Sequence, residues 1–243
     1  VPSIPEYINE HMQMNGVFGF DGRVMNTKQV KDIMDQLKDK HITICAQEDL
    51  VGMIWEDRPA LPTEKGFFLE EKYSGKSTKD KLADIRNVMK EHKATHHIVT
   101  SLDDIAWIMN MRGWDISCFP VMLCYLVITE NESHIFINKD KLDERMHANF
   151  KDNMVIVHAY DDIYEFVKTI PADAAVLLHT SVVNYAITQN LNKEIRIIDC
   201  PNPSQLMKAR KNEIELENNR KAHIKDAVAM TKFMYWLKNN IGK

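Results

Sequence analysis

Arg112-Gly113-Trp114-Asp115 brings together a guanidinium, an indole and a carboxylate around a glycine hinge, in a polar βα-type connection. Two readings compete for it. In one, Asp115 pairs with Arg112 or caps backbone N–H groups in a tight turn. In the other, Arg112, Trp114 and Asp115 face a cleft and shape a substrate channel. His158, Asp161, Asp162 and Glu165 form the densest set of possible metal ligands. A dinuclear hydrolase needs several carboxylates and a His converging on ions roughly 3.5–4 Å apart. Here the His ends a strand and the acids open a helix, which better suits helix N-terminal charges and a surface His. His96-His97 begins a strand, so one ring is expected in the core and the other toward solvent. Ser101, Ser181 and Ser204 lack the Gly-x-Ser-x-Gly elbow of a hydrolase nucleophile. Cys118 has no His predicted nearby to activate it. Gly75-Lys76-Ser77 ends like a phosphate-binding loop, but Glu70 stands where that loop needs its first Gly. Ser77 or Thr78 is instead expected to cap a helix over 79–93, with Asp80 favourable in its first turn.

The elements that must position these groups alternate. Tyr7, Ile8 and Met12 line a short opening helix at Pro5, and an apolar strand over 16–21 ends in Asp-Gly turn chemistry. Asn26 or Thr27 caps a helix bearing Val30, Ile33, Met34 and Leu37, and a strand over 41–45 completes a βαβ unit that residues 50–59 close. Beyond a polar boundary at 63–75, Leu82, Ile85 and Met89 stripe the next helix. Strands are expected at 96–100, 121–129, 133–137, 154–158, 174–179 and 194–199. Helices are expected from Asp103 or Asp104 and over 140–149, 161–169 and 181–190. The short link at 130–133 forces an antiparallel hairpin, placed at one side of a mixed sheet. The continuous apolar run 121–128 suits a strand covered on both faces. Pro201-Asn202-Pro203 breaks the chain before a charged, then amphipathic, helix with Ala227, Met230, Met234, Leu237 and Ile241 at helical spacing. The fold class is therefore α/β: a mixed sheet flanked by helices, preceded by a partial βαβ unit and followed by a long amphipathic helix.

With 243 residues, 44% hydrophobic and 27% charged, the chain can bury a substantial core. A net charge of -4 gives no reason to expect nucleic acid or an anionic membrane as partner, and no run reaches the ~20 apolar residues of a membrane span. The four cysteines are scattered among apolar neighbours, and reduced core thiols in a cytoplasmic protein are expected. The start lacks the basic and apolar regions of a signal peptide and an initiator Met, as in a processed or excised piece.

Three stretches carry a family resemblance. LDDIAWIMNMRGWDI, followed by a Pro-led apolar strand, resembles the LDEIAW-LNLRGSDI signature of the second domain of Xaa-Pro aminopeptidases. Ile54-Trp55-Glu56-Asp57-Arg58-Pro59 is similar to the family's IWxDRP segment near the end of the first domain. From Lys211-Asn212-Glu213 through Glu217, Arg220 and Ala222-His223-Ile224-Lys225-Asp226-Ala227-Val228-Ala229, the chain resembles the helix that opens the "pita-bread" catalytic domain. The resemblance implies a creatinase/prolidase N-terminal-domain-like fold in three parts. Residues 1–62 would be the end of a first domain, 63–200 a complete second domain, and 201–243 a linker with the first catalytic-domain helix. It also implies a parent enzyme that releases the residue ahead of proline from a peptide substrate. That parent would use two divalent metals, manganese by expectation, and form a homodimer in the cytoplasm. The family's metal ligands lie downstream of the opening helix. No catalytic residue, metal ligand or cofactor is therefore expected in this chain, and alone it should be inactive. Trp114 replaces the family's usual small residue, and Cys118-Phe119 its Tyr-Asn pair, changes that bear on peptide specificity if the loop lines the channel. The rival readings are a stand-alone creatinase-like binding or scaffold module, and a piece of a creatinase or prolidase relative.

Overall fold

The computed structural model describes residues 2–242. Helix α1 (Ile4–His11) opens on a capping box, in which Ser3 accepts from the Glu6 N–H and Glu6 accepts from the Ser3 N–H. Strand β1 (Val17–Gly19), helix α2 (Thr27–Gln36) and strand β2 (Thr43–Cys45) follow, and the strands pair in parallel, as a βαβ unit requires. Asn26 caps α2 by accepting from the Gln29 N–H at 2.8 Å. Val30, Ile33 and Leu37 are buried, whereas Met34 stays exposed. The segment that follows is a short helix, α3 (Leu50–Ile54), with exposed Val51, Met53 and Ile54.

This first lobe is stapled to a distant part of the chain. The N–H groups of Thr27 and Lys28 donate to the carbonyls of Val183 and Thr180, both at 2.9 Å. In return Tyr185 and Ala186 donate to Met25 and Gly22 at 2.8 and 2.9 Å. Gly22 sits tightly in this joint, where a Cβ would lie 2.9 Å from the Ala46 carbonyl oxygen within the lobe and 3.3 Å from the Ala186 nitrogen across the staple.

Strand β3 (Phe67–Phe68), helix α4 (Glu71–Ser74) and helix α5 (Thr78–Glu91) lead into the main body. Ser77 caps α5 by accepting from the Asp80 N–H at 3.0 Å, so the Gly-Lys-Ser stretch is a helix start. Then come β4 (His96–Val99), α6 (Leu102–Ile108), β5 (Met111–Arg112), β6 (Cys124–Thr129), β7 (Ser133–Ile137) and α7 (Glu144–Asp152). After these lie β8 (Val155–His158), α8 (Ile163–Phe166), β9 (Ala175–Leu178), α9 (Tyr185–Asn190) and β10 (Arg196–Asp199). Helices α10 (Pro203–Ala209) and α11 (Glu213–Asn240) end the chain's regular structure.

Six strands form one sheet in the order β10-β9-β4-β6-β7-β8, with β6 antiparallel to both its neighbours and the other pairings parallel. Leu126 sits opposite Val99 on one side and Ile135 on the other. Leu126, Ile128 and Ile135 pack with Leu82, Ile85, Ile105 and Phe150 on one face. Tyr125, Val127 and Phe136 pack with Ile163, Val176 and Ile187 on the other. Both faces of β6 are thus covered, which explains its unbroken apolar run. Each such side chain contributes about 1.5–3 kcal/mol by leaving water.

Several expectations need correction. The hairpin lies inside the sheet, because β8 returns parallel to β7 through α7 and takes the edge. Residues 121–123 do not join β6: the Leu123 N–H is held by the Asp115 carboxylate at 2.6 Å. The helix expected over 161–169 is broken into α8 between two 3-10 turns. Among the cysteines only Cys124 is buried; Cys45 and Cys200 are half-buried, Cys118 is exposed, and all four are free thiols. His97 is buried and His96 partly open, as the strand pattern implied.

Helix α11, 28 residues and about 42 Å long, touches the body only through its first turns. None of its residues is buried, and Ile224, Met230, Phe233 and Trp236 stand in the open.

Candidate binding cleft

Helix α6 organises the junction between the sheet and the last two helices. Asp104, buried in its first turn, accepts from Ser101 Oγ at 2.5 Å, Asn202 Nδ2 at 3.1 Å and Lys208 Nζ at 2.8 Å. Burial alone would raise the Asp104 carboxyl. Lys208, Ser101 and Asn202 outweigh it and hold the group below the usual carboxylate range. Lys208 also pairs with Asp103, so the two acids of the Asp-Asp pair grip α10.

Trp107, one turn on, donates from Nε1 to Glu215 Oε1 at 3.4 Å. Glu215 closes the capping box of α11: Oε2 accepts from the Asn212 N–H at 3.0 Å, and Asn212 accepts from the Glu215 N–H at 2.9 Å. Asn212 also donates to the Ser74 carbonyl at 2.9 Å. It rests on Gly75, whose φ is +65° and where a Cβ would come within 2.3 Å of Asn212 Oδ1.

Lys81 lies almost wholly inside. Its Nζ donates to the Trp107 carbonyl at 2.8 Å and to Asn110 Oδ1 at 2.6 Å, and sits 4.4 Å from the Trp107 ring centroid. Burial pushes its ammonium down to about 7, with Glu215 acting in the opposite sense. Arg112, paired through β5 with Phe67 on β3, donates from Nη1 to the carbonyls of Ala106 and Met111 at 2.7 and 2.8 Å. Burial pulls its guanidinium down as well, again opposed by Glu215.

Together these groups frame a cleft of about 320 Å³ lined by Lys81, Trp107, Arg112, Phe119, Lys208 and Glu215, among others. The three residues singled out in the sequence part company here. Arg112 lines the cleft. Trp114 lies on the outer surface, 58% exposed, with its ring 6.0 Å from that of Phe67. Asp115 turns inward: it pairs with buried Lys141 at 2.5 Å and accepts the Leu123 N–H, so it is not the partner of Arg112. Lys81, Lys208 and Glu215 were missed. Lys81 had a signal, because Thr78, Lys81, Leu82, Ile85 and Met89 share the buried face of α5, where an unpaired lysine is rare.

Among the described residues no group of three or more His, Cys, Asp or Glu is placed to hold a metal. The set around His158 disperses: its Nε2 lies 3.0 Å from His134 Nδ1, Asp162 accepts the Ala159 N–H, and Glu165 pairs with Lys168. The residues present do not fit a dinuclear centre.

The mixed sheet between two helical layers, with a clamped helix leaving it, is the arrangement of a defined class. Residues 57–215 match the Creatinase/Prolidase N-terminal domain, and the chain belongs to that family. It is 31% identical, over 99% of its length, to a protein of Leptosphaeria maculans named Probable Xaa-Pro aminopeptidase P. A Penicillium rubens protein of the same name is also 31% identical over 99% of the chain. The crystal structure of X-prolyl aminopeptidase from Caenorhabditis elegans, described as a cytosolic enzyme with a di-nuclear active site, covers the whole chain at 28% identity and a TM-score of 0.91. In each case the chain spans 41% of the relative's length. No helix among the described residues is long and apolar enough to cross a membrane.

Proposed function

We propose that this chain is the non-catalytic portion of a dinuclear-metal Xaa-Pro aminopeptidase that releases the residue ahead of proline. The observation that carries the reading is similarity along the whole chain to X-prolyl aminopeptidases of which it spans 41%. In this reading residues 1–62 complete a first domain, 63–200 form the second, and 201–243 lead into the catalytic domain. The chain contributes folding support, subunit contacts in a cytoplasmic homodimer and one wall of the substrate channel. Arg112 is its channel-facing group and Trp114 flanks the mouth. Asp115 acts by holding the loop in place through Lys141. Two divalent ions, manganese in this reading, belong to the rest of the enzyme.

The purified 243-residue chain, supplied with Mn²⁺, is expected to release no amino acid from Xaa-Pro peptides. Turnover that co-purifies with the chain and survives rigorous fractionation would overturn the proposal. A second reading, a stand-alone interaction module, draws on the open apolar side of α11. Reading the gene beyond the codon for Lys243 separates them: two Asp, one His and two Glu at metal-ligand spacing favour the enzyme, and an in-frame stop favours the module.

A further inference from the structure

The cleft beside Trp107 holds an unusual cation. Arg112 is half-buried, yet its hydrogen bonds to protein run only from Nη1, to two backbone carbonyls. Among the described residues Nε and Nη2 have no acceptor, and no carboxylate forms an ion pair with the guanidinium. Neither nitrogen is among the wholly buried atoms left without a partner, and Arg112 is one of the residues that line the cleft. A guanidinium partly stripped of water without an anion costs free energy that a bound oxyanion would recover.

The rest of the lining fits that role. Four basic side chains (Lys81, Arg112, Lys208, Lys211) face two carboxylates, Asp103 and Glu215. Both acids are engaged, Asp103 by Lys208 and Glu215 by the α11 cap and Trp107. The rest of the lining sets apolar Leu69, Tyr73, Phe119, Pro120 and Val121 beside polar Ser74, Asn218 and Asn219. A bare phosphate would leave the apolar part unused, whereas a carboxylate on a small apolar body would meet both. The volume suits two or three residues of peptide.

We propose that this cleft binds the free C-terminal carboxylate of a short peptide, with Nε and Nη2 of Arg112 as the paired donors and the Phe119–Val121 wall receiving the last side chain. The inference deepens the channel-shaping role proposed above and rests on it for the choice of a peptide as ligand. Bidentate pairing of guanidinium and carboxylate supplies the selectivity.

The test is calorimetric titration of the intact chain with Ala-Pro-Leu, with Ala-Pro-Leu amide and with sodium phosphate. The free acid is expected to bind at least about tenfold more tightly than the amide, the ratio for the loss of one charge-assisted bond pair. Arg112→Gln is expected to remove that preference and Arg112→Lys to restore part of it, with thermal midpoints recorded to show that each variant folds. Equal affinity for acid and amide overturns the proposal on the unmodified chain, whatever the variants do. Phosphate binding as tight as the peptide acid overturns the peptide assignment. Binding is read without turnover, so a failed titration rejects this site and leaves the parent reading to its own activity test.

Discussion

Lys81 is the residue on which solution conditions act most directly. In the unfolded chain its ammonium keeps the ordinary value of 10.5, whereas burial brings it to about 7 in the fold. Between those values the unfolded chain holds a proton that the folded chain has released, so stability rises with pH through that window. The slope from this one group approaches about 1.4 kcal/mol per pH unit at most. Replacing it by methionine keeps the length of the side chain and removes the charge. Urea unfolding of Lys81→Met between pH 7 and 10 is therefore expected to show a flatter pH dependence than the parent chain; an unchanged slope would mean that Lys81 does not titrate there. The same residue marks the limit of what was readable. A lysine on the apolar stripe of α5 is visible in the sequence, but its acceptors on Trp107 and Asn110 lie 26 and 29 positions away. Asp115 is the complementary case. Of its two expected roles, pairing with Arg112 or capping backbone N–H groups, it takes a backbone N–H, that of Leu123, while its ionic partner, Lys141, is brought in by the turn after β7, for which no local spacing gives notice.

At the scale of elements, helices with a clean apolar face were legible: α2 and α5 lie close to where Asn26, Ser77 and their stripes placed them. The strand β6 was legible as a doubly covered strand because five successive residues are buried. Its position inside the sheet was not, since that depends on where β8 docks. Nor could the sequence reveal that Leu102-Asp103-Asp104-Ile105-Ala106-Trp107 is a latch, because its partners Asn202, Lys208 and Glu215 follow some hundred residues later. The latch predicts a local effect. Asp104→Ala removes the shared acceptor of Ser101, Asn202 and Lys208, so α10 and the first turn of α11 should loosen while the sheet persists. Hydrogen–deuterium exchange is expected to rise at least tenfold in amides of residues 203–216 and to stay unchanged in β4, β6 and β9. Uniform deprotection across the chain would show that Asp104 supports the whole fold rather than this joint.

For the whole molecule, the staple between residues 22–28 and 180–186 has a consequence during synthesis. The ribosome releases the first lobe long before its partner exists. At 5–20 residues per second the interval is roughly 8–30 s, far longer than a hairpin or helix needs to form. Throughout that interval Phe20 lacks Tyr185, its ring neighbour at 5.8 Å, and the edge that later receives Tyr185 and Ala186 is bare. The predicted outcome is a lobe that matures late although it is made early. Nascent chains halted with residue 170 at the tunnel exit should be cut by protease within residues 1–62, and those halted with residue 195 there should resist. Equal resistance in both would mean that the lobe stands without the staple. Translation speed over the codons between the two halves therefore sets how long an aggregation-prone surface is left to the cell's chaperones.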